Sequence, residues 1–272
     1  MNVRTICVAV SFAFAAPVWA HEFWVQPLAD MTRGMGGLGK EMKADIRRGE
    51  NFVGDALVYN PANFQRFEVH TPRGVRPVEG RLGDKPALSM VTESEGMHVV
   101  VYVSDVQRTT YLSFDQFESF AAYEGLDGAA ERHRARGLPE DGVFSEAYTR
   151  YAKALVPVNH AKGGDRRIGL PIEIVLDEVG TLEPSGTVYL DGSPMANAQV
   201  RVFTQFSFGA DRPVSTRTVR TDAQGRFAIS VGPIERVMLN VVHLREPDAT
   251  LAKSRNVVWE TRWASLVFTA PQ

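Results

Sequence analysis

Apolar and polar residues alternate along much of the chain at every second position, the spacing of a strand with one face buried. At residues 21–27 (HEFWVQP), Phe23 and Val25 interleave with Glu22, Trp24 and Gln26. The rhythm returns at 41–46, where Met42, Ala44 and Ile46 share one side, and again at 52–58, 66–70 and 97–103, with turn residues between. It changes at Ser113: Phe114, Phe117, Phe120 and Ala121 recur at helical spacing behind a Ser that can cap the first turn. A second helical run covers 128–136 with charge on most faces. A third starts near Ser145, where Tyr148, Tyr151 and Leu155 form one stripe and Pro157 would end it. Alternation resumes at 171–176 (PIEIVL) and dominates from Gly186 onward, with Asp-Gly and Gln-Gly turns between strands of about six residues.

These patterns predict a mainly β protein: two β-sandwich (immunoglobulin-like) domains with a short helical insertion. The expected boundaries are an N-terminal β domain over 21–112, the insertion over 113–156, a connecting segment over 157–182 and a C-terminal sandwich over 183–272. The last domain resembles carboxypeptidase-regulatory-like modules in Gly186, Val188, Gly192, Pro194, Ala198, Val200, Thr221, Asp222, Gly225 and Phe227. Those residues close turns and fill a core. Trp259, Trp263 and Phe268 suggest a C-terminal strand packed on the sandwich.

Composition narrows the function. A formal charge of −2 gives no basic excess for nucleic acid or an anionic membrane. Residues 1–20 carry Arg4, an apolar run over 6–16 and a Val18-Trp19-Ala20 close, the form of a secretory signal cut after Ala20. The run is too short to span a bilayer, which needs about 20 apolar residues, and no second such stretch follows. The expected mature protein, residues 21–272, is therefore periplasmic, with no integral membrane segment. The chain's one cysteine, Cys7, leaves with the signal, which excludes disulfides, thiolate metal sites and cysteine nucleophiles from the mature protein.

Hydrolytic motifs are missing. HEFW lacks the second His of a zincin helix, no G-x-S-x-G occurs, and the glycine-rich stretch 31–39 has no Lys-Ser/Thr for a phosphate loop. The informative position is His21. Cleavage after Ala20 would leave its α-amino nitrogen and imidazole Nδ1 free to chelate one ion. One more imidazole would complete a histidine brace, a three-nitrogen site suited to Cu(II) or Ni(II). His243, at the end of the apolar run VMLNVVHLRE, is the favoured third donor; Glu22 or Glu260 would add an oxygen or fix an imidazole tautomer. His98 reads as a satisfied core residue, His70 as exposed, His133 in ERHRAR as solvated, and His160 as a loop residue. Tyr148 and Tyr151 would close the pocket or simply pack.

The segments AHEFWVQP, YTRYAKALV, Gly169-x-Pro171-x-Glu173-Ile174 and VVHLRE…WETRWASLVF resemble the exported family known as domain of unknown function 4198. That family is described as a NikK-like periplasmic component of nickel/cobalt transport systems. The resemblance implies a terminal His at His21 and a ligand at His243. It implies a non-enzymatic protein that binds Ni(II) or Co(II) and hands it to an inner-membrane importer. The alternatives are a copper histidine-brace monooxygenase, which would use Cu(II), and a non-catalytic β-sandwich binding module.

Overall fold

A computed structural model describes residues 22–28, 39, 41–206 and 213–272. The expected signal segment, residues 1–20, His21 and most of the glycine-rich stretch lie outside them. The described chain is mainly β, as its alternation predicts, and builds three sheets and three α-helices.

The central sheet has nine strands. Its elements are β4 (Phe64–Thr71), β5 (Gly74–Pro77), β7 (Gly96–Ser104), β8 (Gln107–Tyr111), β9 (Phe144–Val158), β13 (Gln199–Phe206), β14 (Ser215–Arg220), β16 (Glu235–Arg245) and β17 (Trp259–Thr269). Their order is β14-β13-β16-β17-β9-β7-β4-β5, with β8 beside the first half of β9 and β7 beside its second half. Strands from both sides of the expected 112 and 183 boundaries thus share one sheet. Strand β17 runs parallel to β9; the other pairings are antiparallel.

One face of this sheet is covered by β10 (Ile172–Leu176), β11 (Ser185–Leu190), β12 (Ser193–Pro194) and β15 (Arg226–Ala228). Val99, Leu155, Leu239 and Leu266 meet Ile172, Ile174, Val188 and Phe227 there. Asp191 and Gly192 form the two-residue β11–β12 hairpin, both at positive φ (47° and 84°), which is why the turn reads Asp-Gly. The opposite face is shared by two covers. The first is the sheet of β1 (Glu22–Pro27), β2 (Glu41–Glu50), β3 (Val53–Leu57) and β6 (Leu88–Val91), packed through Val25, Met42 and Leu88 onto Val100, Ala154 and Met238. The second is the helix pair α1 (Phe114–Glu124) and α2 (Ala129–Ala135), which seats Phe117 and Phe120 on Trp259 and Trp263. A third helix, α3 (Ala249–Arg255), connects β16 to β17.

Helix α1 starts as its sequence predicts, with Ser113 Oγ accepting from the Gln116 N–H. The helix expected after Ser145 does not form; those residues are the long strand β9. Its Ala-rich run has good intrinsic helix propensity, but pairing along both edges and burial on both faces override it. Tyr148 and Tyr151, expected on one stripe, therefore point to opposite faces: Tyr148 toward the helices and Tyr151 toward the β10–β11 sheet. Pro157 does not end an element. It sits inside β9 beyond Ala154, where the β17 pairing has already stopped and its missing N–H costs no ladder bond on that edge. Among the described residues, no helix is long and apolar enough to cross a membrane.

Candidate functional site

Glu22 opens β1 and is buried. Its Oε1 accepts from Arg201 Nη1 at 2.9 Å and its Oε2 accepts from the Asn51 N–H at 2.9 Å. Asn51 and Phe52 make the two-residue turn between β2 and β3, both at positive φ (51° and 62°). Asn tolerates that conformation, and the turn aims its N–H at the carboxylate. Arg201 is the hub. On β13, Val200 and Val202 face the β10–β11 sheet, so Arg201 and Phe203 point the other way. There the guanidinium also donates to Glu124 Oε1 at 3.1 Å and to the Tyr123 hydroxyl, and lies 3.7 Å from the Tyr123 ring centroid. Tyr123 and Glu124 are the last two residues of α1, so one buried cation ties β1, β13 and the helix together.

Two carboxyls on this face are strongly perturbed. Burial pushes Glu124 up to about 7, against the pull of Arg201 and with the help of Glu22. Burial likewise pushes Glu146 up to about 7, although it accepts from Thr261 Oγ1 and the Tyr111 hydroxyl, both at 3.0 Å. Both folded values lie above the ordinary 4.5, so the folded state holds protons that the unfolded chain releases. Stability should therefore fall as pH rises from about 4.5 to about 7, by about 3 kcal/mol per carboxyl, and level off above that. Thermal unfolding at pH 5 and pH 8 checks the sign. Glu146→Gln should remove its share of the slope; an unchanged slope would refute the assignment.

His243 lies on the other side of the central sheet. On β16, Val237, Leu239 and Val241 face the β10–β11 sheet, and His243 continues that row. Its cross-strand partner is Arg262, whose Nη1 reaches Asp191 Oδ1 at 2.6 Å. Burial, then Arg262 and Arg132, hold the imidazole below its ordinary value. Its Nδ1 is buried and has no hydrogen-bond partner. Glu260, on the neighbouring strand β17, shares that face but is committed: Oε2 accepts from Arg245 Nε at 2.8 Å and Oε1 from Arg262 Nε at 3.3 Å.

The four candidate ligands thus divide by location. Glu22 sits on one face of the sheet, His243 and Glu260 lie together on the other, and His21 is outside the described residues. Among the described residues, no group of three or more His, Cys, Asp or Glu side chains is placed to hold an ion. His133, expected to be solvated, is fully buried: Nδ1 accepts from Trp259 Nε1 at 3.1 Å, and Nε2 faces Pro139 O at 3.2 Å. His98 is the satisfied core residue expected, with Nδ1 3.1 Å from Gly96 O. His70, expected to be exposed, is half-buried beside Glu68, and His160 is exposed near Glu95.

Sequence reasoning missed Arg201, Glu124 and Glu146. For Arg201 on β13 the available signal was a charged residue at a strand's alternate position, which reads as solvent-facing when a sheet has one wet face; Glu124 closes a helix and Glu146 fell in the run that reads as helical. Here both faces are covered.

Fold and site together define a mainly β protein whose central sheet is covered on both faces and whose first described strand is locked by a buried Arg–carboxylate cluster. The chain belongs to the family described as Domain of unknown function (DUF4198), whose model it matches over residues 18–245. No curated protein matches it.

Proposed function

We propose that this is an exported, periplasmic transition-metal-binding protein that chelates Ni(II) or Co(II) at a terminal His21 and supports uptake by an inner-membrane importer. The observation that carries this reading is the fixing of Glu22 by Arg201 and the Asn51 N–H. A cut after Ala20 creates an amine and an imidazole on the residue covalently joined to that anchor. Both donors then start from a rigid point rather than from a free tail, which lowers the ordering cost of binding. Glu22 positions and does not ligate, because both its oxygens are already engaged. His243 and Glu260, on the opposite face, are no part of this reading. A two-nitrogen chelate leaves the remaining positions to exchangeable ligands, which suits a carrier that must release its cargo.

The test compares two versions of the exported protein by nickel titration: one beginning at His21 and one retaining Ala20. The extension should remove most of the affinity, because the α-amine becomes an amide and no longer binds as an amine. Affinity should also fall below about pH 6, since an amine near 7.7–8.0 and an imidazole near 6.5 must lose protons to bind. Equal binding by both versions, or no binding by the His21 form, would overturn the proposal.

A further inference from the structure

Lys153 stands on β9 between Tyr151 and Leu155 and points into the interface between the central sheet and the β10–β11 sheet. Its side chain is 1% exposed. Its Nζ lies 2.8 Å from Asp165 Oδ1 and 3.1 Å from Glu173 Oε1, and those side chains are 0% and 1% exposed. The carbonyls of Arg166 and Ile174, each at 3.1 Å, complete four acceptors around an amine with three hydrogens. Two carboxyls thus face one cation where no water reaches, an arrangement that carries excess negative charge in a low dielectric.

The two acids are held differently. Glu173 accepts three backbone N–H groups, from Ile168 at 2.7 Å, Gly169 at 3.0 Å and Leu170 at 3.2 Å. Burial pushes the Asp165 carboxyl up from its ordinary value, against the pull of Lys153. Its Oδ2 accepts from the Leu176 N–H at 3.0 Å, and its Oδ1 from the Arg166 N–H at 2.7 Å. An amine, a second carboxyl that can accept its proton, a carboxyl whose burial favours the neutral form and a fixed N–H donor therefore converge within hydrogen-bond distance.

We propose that Lys153 and Asp165 are joined by an intramolecular amide bond, formed with Glu173 as the catalytic base. Glu173 takes a proton from the Nζ ammonium, and the freed amine attacks Asp165 Cγ. Negative charge developing on Oδ2 is met by the Leu176 N–H, as in an oxyanion hole. The Oδ1 hydroxyl leaves with a second proton from Nζ as one water. The products are an amide, a water molecule and protonated Glu173. Ammonium, carboxylic acid and carboxylate become three neutral groups, so charge balances and no buried ion remains. Holding the reactants at contact distance supplies the effective concentration that such a condensation needs. The bond would staple the longest strand of the central sheet to the segment entering β10. With Cys7 its single cysteine, this chain has no internal disulfide to do that work.

The test is a denaturing tryptic map, by mass spectrometry, of the full protein recovered from export. Trypsin should fail to cut after Lys153. A branched peptide joining Lys153 to Asp165 should appear, lighter by one water than the sum of its two linear parts. Cleavage after Lys153 with both peptides at full mass overturns the proposal. So does a water loss that maps instead to Asp191-Gly192, where an Asp-Gly pair can cyclise. Glu173→Gln keeps nucleophile and electrophile but lacks the base, and should give linear, full-mass peptides; the branched peptide at wild-type yield would overturn the role of Glu173. Should that variant not fold, the wild-type map alone decides whether the bond exists.

Discussion

Arg201→Met should cost about 3–5 kcal/mol of folding stability, the range for breaking a buried ion pair by removing one partner. Methionine fills much of the volume, so the loss is electrostatic rather than a cavity. Glu22 and Glu124 would remain buried, without the guanidinium that both now touch. Tyr123 would lose a cation against its ring as well. Urea unfolding with an unchanged m-value is the measurement, and a loss below about 1 kcal/mol would show that the cluster contributes little. Adding Glu22→Gln to Arg201→Met should recover part of the loss, because an amide then replaces a carboxyl stranded without its guanidinium; the shortfall from additivity reads their coupling. Arg201→Met alone releases one of the two anchors of Glu22. Nickel affinity of the His21-terminated protein should fall with it, beyond what unfolding alone explains.

The strands that were legible are short runs rich in β-branched and aromatic residues between turn signals. The runs at 97–103 and 171–176 emerge as β7 and β10, the β11–β12 hairpin forms at its Asp191-Gly192 turn, and the Gln224-Gly225 turn carries the chain from β14 in the central sheet to β15 beside β11. Strand β9 was hidden because its polar residues, Ser145, Glu146, Thr149, Arg150 and Lys153, fall on both of its faces and break the alternation, and its small alanines favour helix. His133 was hidden differently. It sits among Arg132, Arg134 and Arg136, yet α2 turns it inward with Ala129, four residues earlier, toward a Trp259 that sequence spacing cannot place beside it. Arg201 and Glu22 are 179 residues apart, so neither segment alone reports the contact. For His243 the sequence located the end of an apolar strand correctly. Which cover sheet it faces depends on layers that alternation does not specify, and that decides that it lies opposite Glu22.

Trp259→Ala should be among the most damaging single changes, at about 4–6 kcal/mol. Truncating a fully buried Trp leaves a cavity that costs about 3–5 kcal/mol, and orphaning a buried acceptor adds about 1 kcal/mol. The ring is fully buried, stacks on Phe117 with centroids 5.9 Å apart at 13°, and has the Arg136 guanidinium 4.4 Å from its centroid. Its Nε1–H is the donor to His133 Nδ1, so the truncation also strands that nitrogen. Trp259→Phe keeps an aromatic face against Phe117 but not the N–H, and should cost about 1–2 kcal/mol. Chemical denaturation separates the two, and an alanine variant within about 1 kcal/mol of wild type would refute the account. Because Trp259 seats α1 and α1 delivers Tyr123 and Glu124 to Arg201, the damage should spread along that path. Amide exchange should rise through α1 and at Asn51, whose N–H is held by Glu22. Trp259→Ala and Arg201→Met together should then cost less than the sum of the two, since each already loosens the contact the other removes.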